Sequence, residues 1–283
     1  MGRKRVLLTN RDLALFKYLA YGPAFSCDIH PRFFTTAGKP ITYLVFWKRL
    51  TKLVQAGYLQ VMHPDRLLGD GKDPHGPVYA IAKGGVETLA QAGGVNIDRI
   101  RVVNLVRSSL VHEMIQTRLI RKIYEMDGTH YQVIRLLDDL MLSKQAHKIK
   151  APRIPDIGFT VRLRSGSYYS FLVEIDAGTT HAGEFVQKLA AFPNLNRVLV
   201  PRRSKEPFAI LIVCDTHERM TYLQRVVNDS PLTANIVSSF AFNSIYNLDN
   251  RLGLFNPWFK ADGSKIERIF KESTPNPARP DPP

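Results

Sequence analysis

Cysteine is scarce in this chain, with two thiols, Cys27 and Cys214, among 283 residues. Two cysteines cannot build a disulfide scaffold or a cysteine-based zinc finger, and such sparing use points to a reducing, cytoplasmic compartment. Long apolar runs are missing as well. No stretch approaches the ~20 residues that a membrane helix needs, and the strongest, 208–214, is strand-sized. The basic start Met1-Gly-Arg-Lys-Arg runs into Thr9-Asn10-Arg11-Asp12 before a signal-peptide core can form, and Val6 breaks the N-myristoylation pattern. No membrane association is therefore expected. Acids are in short supply too: 25 Asp and Glu stand against 39 Lys and Arg, a net charge of +14. That excess calls for a polyanionic partner, nucleic acid before an anionic membrane surface. The chain also lacks a G-x-S-x-G nucleophile elbow, a Walker glycine loop and a paired-histidine motif.

What is present is globular in composition, 45% hydrophobic and 23% charged, which excludes wholesale disorder and rod-like folds. The length suits one large domain or two small ones. Gly84-Gly85 and Gly93-Gly94 mark a break, so a boundary is expected near residue 95, giving domains at 1–95 and 96–272. Five prolines among residues 274–283 cannot pack, and 273–283 reads as a disordered tail.

The first segment reads as three helices and a hairpin. Thr9 to Asp12 resembles a capping box, after which Leu13, Phe16, Leu19 and Ala20 share one helical face. A short helix is expected over 25–33. Pro40 can open a third, running to about Ala56, with Phe46, Leu50, Leu53 and Val54 as its apolar stripe. Lys48, Lys52 and Gln55 lie roughly opposite, with Arg49 at the side. Gly57 ends that helix, and strands follow at 58–62 and 77–82 around a polar loop that carries Arg66 and Lys72. This is the layout of a winged helix-turn-helix, whose third helix is the size of a major groove. Residues 1–66 hold 11 Lys and Arg against 3 Asp and Glu, so the excess charge concentrates where DNA would be met. Lys48, Arg49, Lys52, Gln55, Arg66 and Lys72 are the candidate DNA contacts.

The second segment opens with one or two helices over 98–126, in which His112 and Glu113 are possible accessory groups. Pro155-Asp156 then introduces a strand at 157–163, and a second strand at 168–176 carries Glu174 and Asp176 at i and i+2, on one face. A helix with Phe185, Lys188, Leu189 and Phe192 follows, then a strand over 208–214 and a helix near 218–227. An unpaired carboxylate inside a strand as apolar as Phe171–Asp176 is costly, so Glu174 needs a metal or a cation. Three carboxylates in one region are how Mg²⁺ or Mn²⁺ is held, and a bound metal stabilises charge on a scissile phosphate.

These acids resemble the PD-(D/E)xK nuclease core: Asp156 matches its first Asp and Glu174 its second acid. Asp176 stands where that pattern has lysine, and Lys188 on the following helix can supply the cation from a displaced position. Taken in order, "LTNRDLALFKYLA" (8–20), "RLTKLVQAGYL" (49–59), "VHEM" (111–114), "RIPD" (153–156), "FLVEIDAGT" (171–179) and "QKLAAF" (187–192) resemble the replication-relaxation family. The resemblance implies an α+β chain, a winged helix followed by a restriction-endonuclease-like α/β domain with a central mixed sheet. It also implies a DNA-binding protein of a mobile element, related to restriction-enzyme-like plasmid relaxases. Two readings follow. In one, the protein nicks or cleaves double-stranded DNA with Mg²⁺ or Mn²⁺, using Asp156, Glu174 and Asp176 as ligands and Asp156, Glu174, Asp176 and Lys188 in catalysis. In the other, the nuclease fold is inactive, a platform for DNA or a homodimer, in a regulator of replication, transfer or transcription. Either way DNA affinity is expected to fall with salt, by a log–log slope of about −0.9 per phosphate contact. A fluorescence-anisotropy titration across salt concentrations checks this, and a flat slope removes nucleic acid from consideration.

Overall fold

The computed structural model describes residues 6–36, 39–63, 76–93, 100–102, 109–149, 153–178, 180–199, 209–248, 254, 257–267 and 269. The chain is mixed α+β and divides into two compact units, 1–117 and 118–283. The division falls inside a helix, further along than the glycine pairs suggest. The physical reason is local. Leu110 and Met114 at the start of that helix pack with Val78, Phe25 and Met62 of the N-terminal unit, and the Arg101 amide donates to the Ala20 carbonyl at 2.8 Å.

The N-terminal unit runs α1 (Asn10–Leu19), β1 (Ala24–Phe25), α2 (Ser26–Phe33), β2 (Thr35–Thr36), β3 (Lys39–Pro40), α3 (Tyr43–Gln55), β4 (Leu59–Met62), β5 (Val78–Ile81) and α4 (Lys83–Ala92), then enters α5 (Leu110–Glu125). Its main sheet has the order β1-β5-β4, all antiparallel. The expected capping box forms: the Thr9 hydroxyl accepts from the Asp12 amide, and the Asp12 carboxylate accepts from the Thr9 amide at 2.7 Å. The third helix starts later than Pro40. Lys39 and Pro40 pair with Thr35 and Thr36 as a short ladder, and the Ile41 amide donates to the Phe34 carbonyl at 2.7 Å. Gly84 and Gly85 are not a break but the first turn of α4. A Cβ on Gly84 would meet the Gly57 carbonyl oxygen at 2.7 Å and one on Gly85 the Tyr58 oxygen at 2.5 Å, so only glycine lets the helix approach that turn.

Arg49 is not a free cation for DNA. Asp12 is 1% exposed, and a carboxylate that deep needs a counter-charge. The Arg49 guanidinium supplies it, with Nε donating to Asp12 Oδ1 at 3.0 Å, Nη2 bonding Oδ2, and Nη2 also donating to the Leu7 carbonyl at 2.9 Å. Burial pushes the Asp12 carboxyl up, but the bonds from Arg49 and Thr9 outweigh it and hold the group below its ordinary value. The ion pair thus locks α3 to the start of α1.

The C-terminal unit holds β6 (Tyr131–Asp138), α6 (Asp139–Ile149), β7 (Ile157–Leu163), β8 (Tyr168–Asp176), α7 (Ala182–Leu199), β9 (Ala209–Cys214), α8 (His217–Asp229), β10 (Phe240–Ser244), α9 (Ile245–Leu248), β11 (Trp258–Phe259) and β12 (Lys265–Ile266). Seven strands make one mixed sheet in the order β12-β11-β10-β9-β8-β7-β6. β6, β7 and β8 form an antiparallel meander; β8, β9 and β10 are parallel, joined through α7 and α8; β11 and β12 return antiparallel. Helices over a sheet face explain why β8 and β9 are buried nearly throughout rather than alternating. Phe185, Leu189 and Phe192 of α7 and Met220, Leu223 and Val227 of α8 share a core with Leu172, Ile210 and Phe242. Leu172 places the even-numbered face of β8 toward those helices, which is the face that carries Glu174 and Asp176. Among the described residues no helix is long and apolar enough to cross a membrane.

Replacing Arg49 with Met leaves Asp12 buried without its cation and should cost about 3 kcal/mol in urea denaturation. Because folding depresses the Asp12 pKa, its contribution is complete above the unfolded value, near 4. It is lost as pH falls through the lower folded value. The stability gap between wild type and R49M should therefore close on acidification below about pH 4.

Candidate functional site

The antiparallel register pairs Ile157 with Val173, which sets Asp156 beside Glu174 at the mouth of the β7–β8 pair. Asp156 extends the ladder with both backbone and side chain. Its amide donates to the Val173 carbonyl at 2.9 Å, and its Oδ2 accepts the Ile175 amide at 2.7 Å. This fixes the carboxylate so that Oδ1 points to the α7 side. Lys188 lies one turn beyond Phe185 and next to Leu189, at the edge of the helical face that packs against the sheet. Its Nζ reaches Glu174 Oε1 at 2.5 Å and lies 3.8 Å from Asp156 Oδ1. The acid at the start of β7, the acid inside β8 and the displaced lysine therefore do meet. Glu184, the helix partner that spacing alone would give Lys188, is exposed and not in this cluster.

One ammonium faces two carboxylates here, and the balance shows in their proton affinities. Burial, reinforced by the charge of Asp156, raises the Glu174 pKa well above its ordinary value, and Lys188 opposes this without cancelling it. Burial also works against the charge on Lys188, but Glu174 and Asp156 more than offset it and the ammonium is retained. The second carboxylate oxygen of Glu174, Oε2, is buried and makes no hydrogen bond among the described residues.

Asp176 does not join this group. Its side chain is fully buried and belongs to Arg219 of α8, whose Nε and Nη2 donate to Oδ1 and Oδ2 at 2.8 and 3.0 Å. The Gly178 amide adds a third bond at 2.8 Å, and Arg219 Nη2 reaches the Thr180 carbonyl at 2.6 Å. Asp176 therefore ties the end of β8 to the start of α8. Arg219 was not legible as a partner, since forty-three positions separate the pair. The cap at that helix start is Thr216, which accepts the Arg219 amide at 3.1 Å, while Asp215 accepts the Thr216 amide. Among the described residues no three His, Cys, Asp or Glu side chains gather as a metal-holding group. The expected three-carboxylate cluster is instead two carboxylates around Lys188 and one around Arg219.

Of the remaining candidates, Glu113 lies in the N-terminal unit, 2.9 Å from the buried Arg101 guanidinium. His112 is half-buried beside it on α5. Lys48, Lys52 and Gln55 are exposed on α3, whereas Arg49 is committed to Asp12. Arg66 and Lys72 lie outside the described residues.

Replacing Lys188 with Met removes the cation paired with Glu174 and should destabilise the fold by about 3 kcal/mol at neutral pH. Glu174 has a raised folded pKa, so its penalty is absent below the unfolded value near 4.3 and grows as pH rises toward the folded one. K188M should therefore be nearly as stable as wild type at pH 4 and fall behind above it. Adding Glu174→Gln should recover most of the loss, giving a coupling of more than about 1 kcal/mol in a double-mutant cycle. Additive effects would show that the two side chains do not interact.

No family model, curated protein or solved structure matches this chain, so the chemistry of the site rests on its own atoms.

Proposed function

We propose that the protein binds duplex DNA through its N-terminal unit and hydrolyses a phosphodiester at the Asp156–Glu174–Lys188 site with a divalent metal. The observation that carries this reading is the convergence of two carboxylates and one ammonium at the end of a buried strand. A carboxylate pair is sufficient for Mg²⁺, which keeps several waters and takes further ligands from substrate phosphate. The residues fit such an ion: among the described residues Glu174 Oε2 is a buried oxygen without a hydrogen-bond donor, and Asp156 Oδ1 faces the same ammonium. Asp156 and Glu174 would hold the metal, and Asp176 would not, since Arg219 occupies both its oxygens. When bound, the ion would offset charge on the phosphate and acidify a water. Lys188 would orient the phosphate or the attacking water.

The DNA half of the reading rests on charge and layout. Three helices precede the β4–β5 hairpin, as a winged helix-turn-helix requires, and α3 presents Lys48, Thr51, Lys52 and Gln55 to solvent. Nicking or cleavage in the replication or transfer of a mobile element, in the manner of the replication-relaxation family, is the role this supports. A second reading has its own observation. Asp176 is locked to Arg219 and Lys188 already neutralises Glu174, so the unit is complete as a scaffold. The protein would then be a DNA-binding regulator, as a monomer or a homodimer, without catalysis.

A supercoiled plasmid carrying the protein's own genetic element separates the two. With Mg²⁺ or Mn²⁺, wild type should yield open circles and Glu174→Gln should not, with DNA affinity unchanged. Lys48→Ala with Lys52→Ala should instead weaken binding at least tenfold and flatten its salt slope by nearly 2. If neither wild type nor Glu174→Gln nicks while both shift DNA, the regulator reading stands. Since Lys188 sits between the two carboxylates, K188M should bind Mn²⁺ at least as tightly as wild type in calorimetry, yet fail to nick.

A further inference from the structure

The exposed face of α3 is not uniformly cationic. Leu44, Lys48, Thr51 and Gln55 are spaced by four, three and four residues and form one stripe. Val45 and Lys52 flank it on one side. All six are exposed, and the first turn is strongly apolar: Leu44 is 63% exposed and Val45 49%. Nothing in the local packing requires these two side chains to be apolar, because Phe46, Leu50 and Leu53 face the core and are fully buried. The stripe is also rigidly held. Tyr43 packs edge-on to Phe46 at 5.3 Å and beside His30 at 4.7 Å, and Arg49 ties the helix to Asp12.

We propose that the Leu44–Val45 end of α3 reads thymine methyl groups in the major groove, while Lys48 and Lys52 hold the flanking duplex. The proposal rests on the DNA-binding reading of α3 and names what that helix selects. Charge complementarity commits the face to DNA: two lysines flank the apolar end, and no acid occurs anywhere in α3. The lack of an acid also decides which base is favoured. Where thymine presents its C5 methyl, cytosine presents only a hydrogen, with its amino donor at the neighbouring position, and Asp or Glu is what accepts from that donor. A leucine set against cytosine leaves the donor unpaired and dehydrated, which is penalised. Against thymine the same side chain buries a methyl. Gln55, three turns along the stripe, has the donor and acceptor pair that matches adenine, so both ends of the stripe favour A·T pairs.

The decisive comparison is thymine against uracil, which differ by that methyl alone. Full-length protein selects from a random 30-base-pair duplex library, and the enriched duplex is then made with thymine or with uracil throughout. Wild type should bind the thymine duplex at least fourfold tighter, about the value of one buried methyl. Leu44→Ala and Val45→Ala should each reduce that ratio toward one while keeping salt-dependent binding. Lys48→Ala should weaken both duplexes alike and leave the ratio intact. Equal binding of the two duplexes by wild type overturns the proposal but leaves DNA binding standing. Failure to bind any duplex at low salt removes the DNA reading as well. If Leu44→Ala leaves the ratio unchanged and instead alters the sedimentation coefficient, the apolar turn is covered by a second copy of the chain and the proposal fails. Both substitutions are at exposed positions, and unchanged urea midpoints show that the variants fold.

Discussion

The C-terminal unit depends on one ammonium group. Lys188 is the cation that lets two carboxylates sit at the buried end of the β7–β8 pair, and its place is set by topology. A parallel connection from β8 to β9 must cross one face of the sheet, so α7 is laid over β8. The residues that anchor α7, Phe185, Leu189 and Phe192, form the apolar stripe at whose edge Lys188 stands. Glu174 belongs to the even-numbered face of β8, as Leu172 does, so strand periodicity and helix periodicity deliver the two charges to one point. The same geometry recurs one crossover later, where α8 brings Arg219 to Asp176, two residues along on that face.

Buried pairs that join a helix to another element are a shared device of both units. In the N-terminal unit Arg49 fastens α3 to the capped start of α1 through Asp12. Hydrophobic burial contributes more energy to each unit, but it is non-directional. A bidentate guanidinium fixes an orientation, because its planar donors match a carboxylate in one plane. For α3 this matters directly. Its exposed face points where the Arg49–Asp12 pair and the Phe46 contacts let it point.

Much of this was legible in the sequence, and the failures share a cause. The capping box at Thr9, the apolar stripe of α3, the strand with Glu174 and the meeting of Asp156, Glu174 and Lys188 follow from periodicity and from the cost of a buried charge. The start of α3 was misplaced because Pro40 suits a helix N-terminus and a short ladder equally well. The glycine pair at 84 and 85 reads as a break by propensity, yet it permits a close helix–turn approach that only the tertiary structure reveals. β6 alternates poorly because of a register shift between Val133 and Arg135, so no period marked it. Sequence alone gives Arg49 to DNA and Asp176 to a metal because their partners, Asp12 and Arg219, lie thirty-seven and forty-three positions away. Local spacing carries no information at that range.

The remaining question is why a lysine and a glutamate occupy that place at all. A buried ion pair is often no more stabilising than well-packed apolar residues of the same volume. The surroundings of Glu174 and Lys188 are apolar already, with Leu172, Phe185, Leu189 and Ile212 in one core. A leucine on each element would satisfy such a layer without desolvating any charge. The arrangement found is the more costly one: it strands Glu174 Oε2 without a donor and sets a second carboxylate, Asp156, against the same ammonium. The bond from the Ile175 amide gives Asp156 a place in the ladder, whereas among the described residues nothing donates to Glu174 Oε2. That open acceptor, more than the ion pair beside it, is the ground on which the proposed chemistry rests.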